Sequence, residues 1–256
     1  MYIDTHCHIN SEELRPDTRA IITRAKIAGV HMMVIVGCDY EDSCEAVAMA
    51  ENFQQYGLYA SIGIHPHEAK RYDAIPPEFS RIVKDKRVVA VGEIGLDYHY
   101  DNSPRDAQKR IFELQLRFAE DNNMPVILHI RDAMEDALEI LTTHRRLKML
   151  FHCYSGGIEY LDEVIGMGGM CAFGGALTWG NKASEELCAV VRKIPAENIL
   201  CETDCPYMSP VPFRGKRNEP AYVKYVYEAI SRERNIPMGE LSAIIEGNAK
   251  RFFGWE

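Results

Sequence analysis

Eight short apolar runs rich in Val, Ile and aromatic residues punctuate this chain, at about residues 2–8, 31–37, 58–64, 88–94, 125–130, 148–153, 169–174 and 198–203. They are continuous rather than alternating, which is the pattern of strands buried on both faces of a parallel sheet. The stretches between them are long enough for crossover helices, and parallel neighbours need such crossovers because a hairpin reverses the chain. A length of 256 residues suits one large α/β barrel or two small domains. There is no low-complexity stretch, no repeat beyond the alternation and no linker rich in Gly, Pro or Ser. The expectation is one domain over residues 1–256, a single (β/α)8 TIM barrel. A doubly wound open sheet has the same local pattern, and the strand count and the placement of polar residues favour closure.

The helix after the fourth run is the most legible. Ser103 is placed to cap it, Pro104 to occupy its first position, and Asp106 to complete a variant capping box. Ala107, Ile111, Leu114 and Phe118 mark its core face, and Asn122 with Asn123 marks its exit before Pro125. Near the C-terminus Tyr222, Val226 and Ile230 repeat the pattern, and a last helix carries Leu241, Ile244, Ile245 and Phe252.

Histidines and carboxylates gather at one end of these runs. His6 and His8 end the first, Glu93 the fourth, His129 the fifth, His152 the sixth and Asp204 the eighth. In a closed parallel barrel the C-terminal strand ends surround one mouth, so residues distant in sequence converge there. In Asp4-Thr5-His6-Cys7-His8 the two imidazoles stand two residues apart, on one face of a strand, able to grip one cation. A dry core has little reason to collect four histidines and two carboxylates unless a cation neutralises them. The set divides into His6, His8 and Asp204 for one ion and His129 and His152 for another, with Glu93 bridging. Two such ions lower the pKa of a shared water and clamp the attacking and leaving oxygens of a displacement. Asp204, beside that water, is the expected general base.

Composition limits the alternatives. Hydrophobic residues make up 46% and charged residues 26%, the mix of an ordinary folded protein. No apolar run approaches the roughly 20 residues that span a bilayer, and the chain opens on a strand-like segment, so the expected location is the cytoplasm, away from any membrane. The eight cysteines are scattered without CxxC pairs and read as reduced. Strand alternation should turn Cys7 and Cys153 away from the neighbouring ligands. A net charge of −9 argues against a broad basic surface for nucleic acid but leaves room for a local cationic groove.

The sequence resembles the TatD-type metal-dependent deoxyribonucleases, a branch of the amidohydrolase-like TIM barrels. The matching stretches are Asp4–His8, Gly63-Ile64-His65-Pro66-His67, Gly92-Glu93-Ile94-Gly95-Leu96-Asp97, Pro125–Arg131, His152-Cys153-Tyr154-Ser155-Gly156 and Glu202-Thr203-Asp204-Cys205-Pro206. They run through nearly the whole chain in family order. The resemblance implies phosphodiester hydrolysis of DNA, a transient substrate, often from 3′ to 5′, with two divalent ions per chain. It implies magnesium or manganese, whereas four histidines also suit zinc or another late transition metal.

The same resemblance adds supporting residues. His65 is expected to contact substrate or donate a proton, or else to bond a neighbouring loop; His67 is a weaker candidate. Glu202, two residues before Asp204, is expected to orient the attacking water or a ligand histidine. Arg131 and Arg217 are expected on phosphate oxygens, which guanidinium groups match in a forked geometry, and Lys216 in a solvated loop. Tyr98, Tyr100, Tyr154, Trp179, Tyr207 and Phe213 are placed to line the mouth, with one or two stacking on bases. A competing reading is a hydrolase of small esters, lactones or amides using the same metals; Glu93, where that branch would carry a carbamylated lysine, favours the phosphodiesterase. A metal-stabilised binding protein without turnover fits less well with a complete ligand set. A monomer is plausible.

Overall fold

A computed structural model describes residues 1–255. Eight strands, β1 (Tyr2–Cys7), β2 (Val30–Val36), β3 (Leu58–Ile62), β4 (Val88–Asp97), β5 (Val126–Arg131), β6 (Met149–Phe151), β7 (Met170–Phe173) and β8 (Ile199–Cys201), form one sheet. Each pairs in parallel with the next in sequence order. The first and last strands also meet just beyond their regular pairing. Asp204 N–H donates to His6 O at 2.9 Å and His8 N–H to Cys205 O at 2.8 Å. Asp4 Oδ1 accepts Thr203 N–H and Oδ2 accepts the Thr203 hydroxyl. The sheet is thereby a barrel, as the strand count required.

The helices are α1 (Thr18–Ile27), α2 (Tyr40–Asn52), α3 (Phe79–Ile82), α4 (Arg105–Asp121), α5 (Met134–Leu141), α6 (Leu161–Gly166), α7 (Lys182–Lys193), α8 (Val223–Arg234) and α9 (Met238–Phe253). Strand residues such as Ile3, Val34, Ile62, Leu128, Leu150 and Leu200 are fully buried, as a sheet covered by helices demands. Val226, Tyr227 and Ile230 of α8 and Leu241, Ile245 and Phe252 of α9 join the same core. Tyr222 precedes α8 and is half-buried, as is Ile244. Among the described residues, no helix is long and apolar enough to cross a membrane.

Two expectations about α4 need correction. Pro104 is the residue at its N-cap, and Ser103 does not cap it; the Ser103 hydroxyl donates to His67 O and accepts Lys70 N–H, tying down the loop after β3. The buried face comprises Gln108, Ile111, Phe112, Gln115, Leu116 and Ala119, while Ala107, Leu114 and Phe118 are partly buried flanks. An apolar search rotates the stripe because it counts glutamine as outward-facing, yet both glutamines have backbone to satisfy. Gln108 accepts Asp97 N–H at 2.8 Å and donates to Asp97 O and Ser103 O. Gln115 accepts Ile64 N–H at 2.7 Å and donates to Ile64 O.

Candidate metal centre

At the C-terminal end of the barrel, His6, His8 and Glu93 each bring one donor atom within 4.8 Å of the others, with Asp204 beside the two imidazoles. His6 Nε2 and His8 Nε2 are 3.0 Å apart. Glu93 Oε2 lies 3.5 Å from the first and 3.8 Å from the second, and Asp204 Oδ1 lies 3.7 and 3.4 Å from them. Atoms about 2.1 Å from a shared ion stand about 3 to 3.5 Å apart, and these separations are at that range or a few tenths of an ångström beyond it. His6 and His8 share a face although the β1–β2 register shifts between Asp4 and Cys7. Asp204 lies beyond β8 and reaches the same point through left-handed backbone, φ 54°.

A second set surrounds the other oxygen of the same carboxylate. Glu93 Oε1 is 2.7 Å from His129 Nδ1, 2.9 Å from His152 Nε2 and 3.6 Å from His65 Nε2. His129 Nδ1 and His152 Nε2 are 3.3 Å apart. The Glu93 carboxylate thus presents one oxygen to each group of imidazoles. Burial pushes its pKa up, but His152, His65, His6 and His129 together outweigh burial and hold it well below the usual range. Burial likewise opposes ionisation of Asp204, and His8, His152 and His6 reverse the effect.

The expectation that Glu93 ends its strand is corrected: β4 runs on to Asp97, pairing with β5 up to Asp97↔Arg131. The overshoot brings in a carboxylate that the site residues named from sequence omit. Asp97 Oδ2 is 3.0 Å from His129 Nε2 and 2.9 Å from His67 Nε2, and its Oδ1 accepts the amides of His99 and Tyr100. Its position four residues after Glu93, on the same strand face, was the available signal. Gly95 between them has φ 144°, and a Cβ there would stand 2.0 Å from His129 O, so only glycine allows the two strands this approach. Glu202, fully buried, faces His152 Nδ1 at 3.2 Å and accepts Cys153 N–H. Carboxylates behind ligand imidazoles fix ring orientation and raise donor basicity.

This arrangement has relatives. The TatD related DNase family model matches residues 3–254. The chain belongs to the TatD-related DNase family. It is 40% identical to the uncharacterized metal-dependent hydrolase YabD of Bacillus subtilis, over 99% of both chains. It is 33% identical to the 3'-5' ssDNA/RNA exonuclease TatD of Pectobacterium carotovorum, over 98% of both. The crystal structure of YJJV, a TatD homolog from Escherichia coli, superposes with a TM-score of 0.90 at 29% identity, covering 99% of this chain and 98% of that one. The chain is therefore a metal-dependent hydrolase on a TatD-type barrel.

The remaining residues of this TatD-family mouth divide clearly. Arg131 lies over the Tyr100 ring, 4.8 Å from its centroid, and Arg214 over Trp179 at 4.7 Å; neither has a carboxylate partner among the described residues. Arg217 instead pairs with Asp17 at 2.8 Å and donates to Glu13 O. Tyr207, 61% exposed, stands edge-on to His8 with ring centroids 6.4 Å apart. Tyr100, 56% exposed, stands edge-on to His67. Tyr154 is buried with its hydroxyl on Gly157 O, Phe213 stacks on Tyr222, and the Tyr98 hydroxyl is held by Asp136. All eight cysteines are free. Cys7 Sγ turns away to Val34 O, but Cys153 does not: its Sγ is 3.9 Å from Asp204 Oδ2. Strand β6 has ended at Phe151, and Cys153 has φ 40°, so alternation no longer governs it. Cys38, 3.8 Å from His8 Nδ1, carried no signal in the sequence.

Proposed function

We propose that this chain is a two-metal phosphodiesterase that removes nucleotides from single-stranded DNA ends, in the 3′ to 5′ sense. The observation that carries the reading is the split carboxylate of Glu93, each oxygen facing its own group of imidazole nitrogens. His6, His8 and Asp204 would hold one divalent ion and His129 with His152 the other, with Glu93 shared. Magnesium or manganese suits the chemistry, and zinc or another late transition metal the nitrogen-rich donors. Such ions lower the pKa of water and polarise phosphoryl oxygens.

The chain's own groups supply the rest. Asp204, kept ionised by its histidine neighbours, accepts the proton of the attacking water. Asp97 holds the ring of His129, and Glu202 stands behind His152 at 3.2 Å while accepting Cys153 N–H. Arg131, backed by Tyr100, binds a phosphate of the strand, and the exposed faces of Tyr100 and Tyr207 stack on unpaired bases. Arg217 reaches phosphate only by giving up Asp17. The eight free cysteines suit a reducing compartment, the cytoplasm. The name of the Pectobacterium relative, an exonuclease on single-stranded DNA and RNA, supports the substrate class. The test is nucleotide release from labelled single-stranded DNA with magnesium or manganese, beside a panel of esters and lactones. Release from DNA is expected, and turnover of the carbonyl substrates alone would eliminate the nuclease.

A further inference from the structure

Asp204 lies beyond the end of β8, in the turn Thr203–Tyr207, on left-handed backbone that a non-glycine residue keeps only where its surroundings hold it. The turn is held completely. Thr203 N–H donates to Asp4 Oδ1, Asp204 N–H to His6 O, Cys205 N–H to the Thr203 hydroxyl and Tyr207 N–H to Asp204 O. Cys205 O accepts His8 N–H. The remaining carbonyls, those of Thr203, Pro206 and Tyr207, all go to a single residue.

That residue is Asn218, fully buried in the loop between β8 and α8. Its backbone N–H donates to Pro206 O at 3.0 Å. Its side-chain nitrogen gives one hydrogen to Thr203 O at 2.8 Å and the other to Tyr207 O at 2.6 Å. Carbonyls only accept, so the amide is fixed with its nitrogen toward the turn. Its oxygen, on the other side, accepts Glu219 N–H at 2.9 Å, and the Glu219 carboxylate is gripped by Arg24 of α1. All four partners of Asn218 are backbone atoms. What this side chain contributes to the centre therefore passes through the shape of the turn.

We infer that Asn218 is a positioning residue for Asp204: it clamps the turn in the form that brings Asp204 Oδ1 to His6 and His8 Nε2, and so sets the affinity of the first ion alone. The ion half of this statement rests on the proposed two-metal centre; the clamp on the turn does not. Asp204 Oδ1 stands 3.7 and 3.4 Å from the two imidazole nitrogens, so a small shift of its backbone separates the donors. The second group is placed independently. Glu93, His129 and His152 take their positions from the pairing of β4, β5 and β6, with His152 N–H on Leu128 O. Removing a group that supports a ligand from outside the coordination sphere costs about 10- to 100-fold in metal affinity.

Asn248 of α9 supplies a matched control. It too is buried, and its amide donates to Ala196 O and Ile199 O at the opposite end of β8. Asn218→Ala and Asn248→Ala each strip two backbone carbonyls of a partner, so both should lower the urea midpoint. Zinc bound per folded full-length chain, measured over a series of buffered free-zinc concentrations, separates them. Asn218→Ala should need about 10- to 100-fold more free zinc to fill one of the two positions, with the other unchanged. Asn248→Ala should follow the wild type at both. Placed on His8→Ala, Asn218→Ala should add no further loss, which assigns the weakened ion to the first group. Should alanine leave the chain unfolded, Asn218→Ser, which keeps one hydroxyl donor, should shift the same ion by less. A zinc curve like the wild type's, or equal weakening of both ions, would overturn the inference. If the wild type takes up no second ion, the two-metal reading falls, and amide hydrogen exchange still decides the clamp. The Asp204 and Tyr207 amides should exchange faster in Asn218→Ala than in Asn248→Ala, and equal exchange would remove Asn218 from this role.

Discussion

Asp204 and Cys153 both enter the centre through left-handed backbone, at φ 54° and 40°, a conformation that single non-glycine residues adopt where surrounding structure holds them. The consequence for Asp204 is that its Oδ1 faces His6 and His8 while its backbone N–H closes the barrel onto His6 O. Its carboxylate therefore faces the two imidazoles while its backbone ties the end of β8 to β1. Asp204→Asn keeps the shape and an oxygen ligand but loses proton affinity. We expect kcat to fall by about 10²–10⁴ while elemental analysis still finds most of the bound metal. Unchanged turnover in that variant would remove Asp204 from the role of base.

Among the elements, α4 does more than cover the barrel. Gln108 and Gln115, seven residues apart and therefore on one face, secure the backbone of Asp97 and Ile64, next to the residues that orient His129 and His65. Replacing Gln115 by Leu leaves a buried N–H and a buried carbonyl of Ile64 without partners, at a cost of about 2–4 kcal/mol. The urea midpoint should drop with the slope unchanged, and turnover should fall with it. A midpoint like the wild type's would mean that the Ile64 backbone finds other partners. The same helix shows what a sequence discloses. Apolar runs locate strands well, and strand order alone brings His6, His8, Glu93, His129, His152 and Asp204 to one end. Side-chain amides and hydroxyls that satisfy backbone have no periodicity of their own, so Ser103, Gln108 and Gln115 were misassigned or overlooked. Asp97 was missed because β4 extends three residues beyond the apolar run that announces it, and Cys153 because β6 stops before it.

For the whole molecule, a net charge of −9 disfavours broad nonspecific attraction of a polyanion. Only Arg131 and Arg214 offer guanidinium groups at the mouth without a carboxylate partner among the described residues. Two such contacts to a single strand predict a log–log salt slope of about −1.4 for binding; a slope several times steeper would require many more phosphate contacts than these two. The proposed function requires six side chains from five strands to form one metal-dependent hydrolytic centre for nucleic-acid ends, joined by Glu93. Its most direct test is the rate of nucleotide release from end-labelled single-stranded DNA by the wild type and by Glu93→Gln, with divalent ion present and after chelation. The wild type should release mononucleotides only with the ion, and Glu93→Gln should be slower by at least about 10³. Equal rates in the two proteins, or release that survives chelation, would contradict the account.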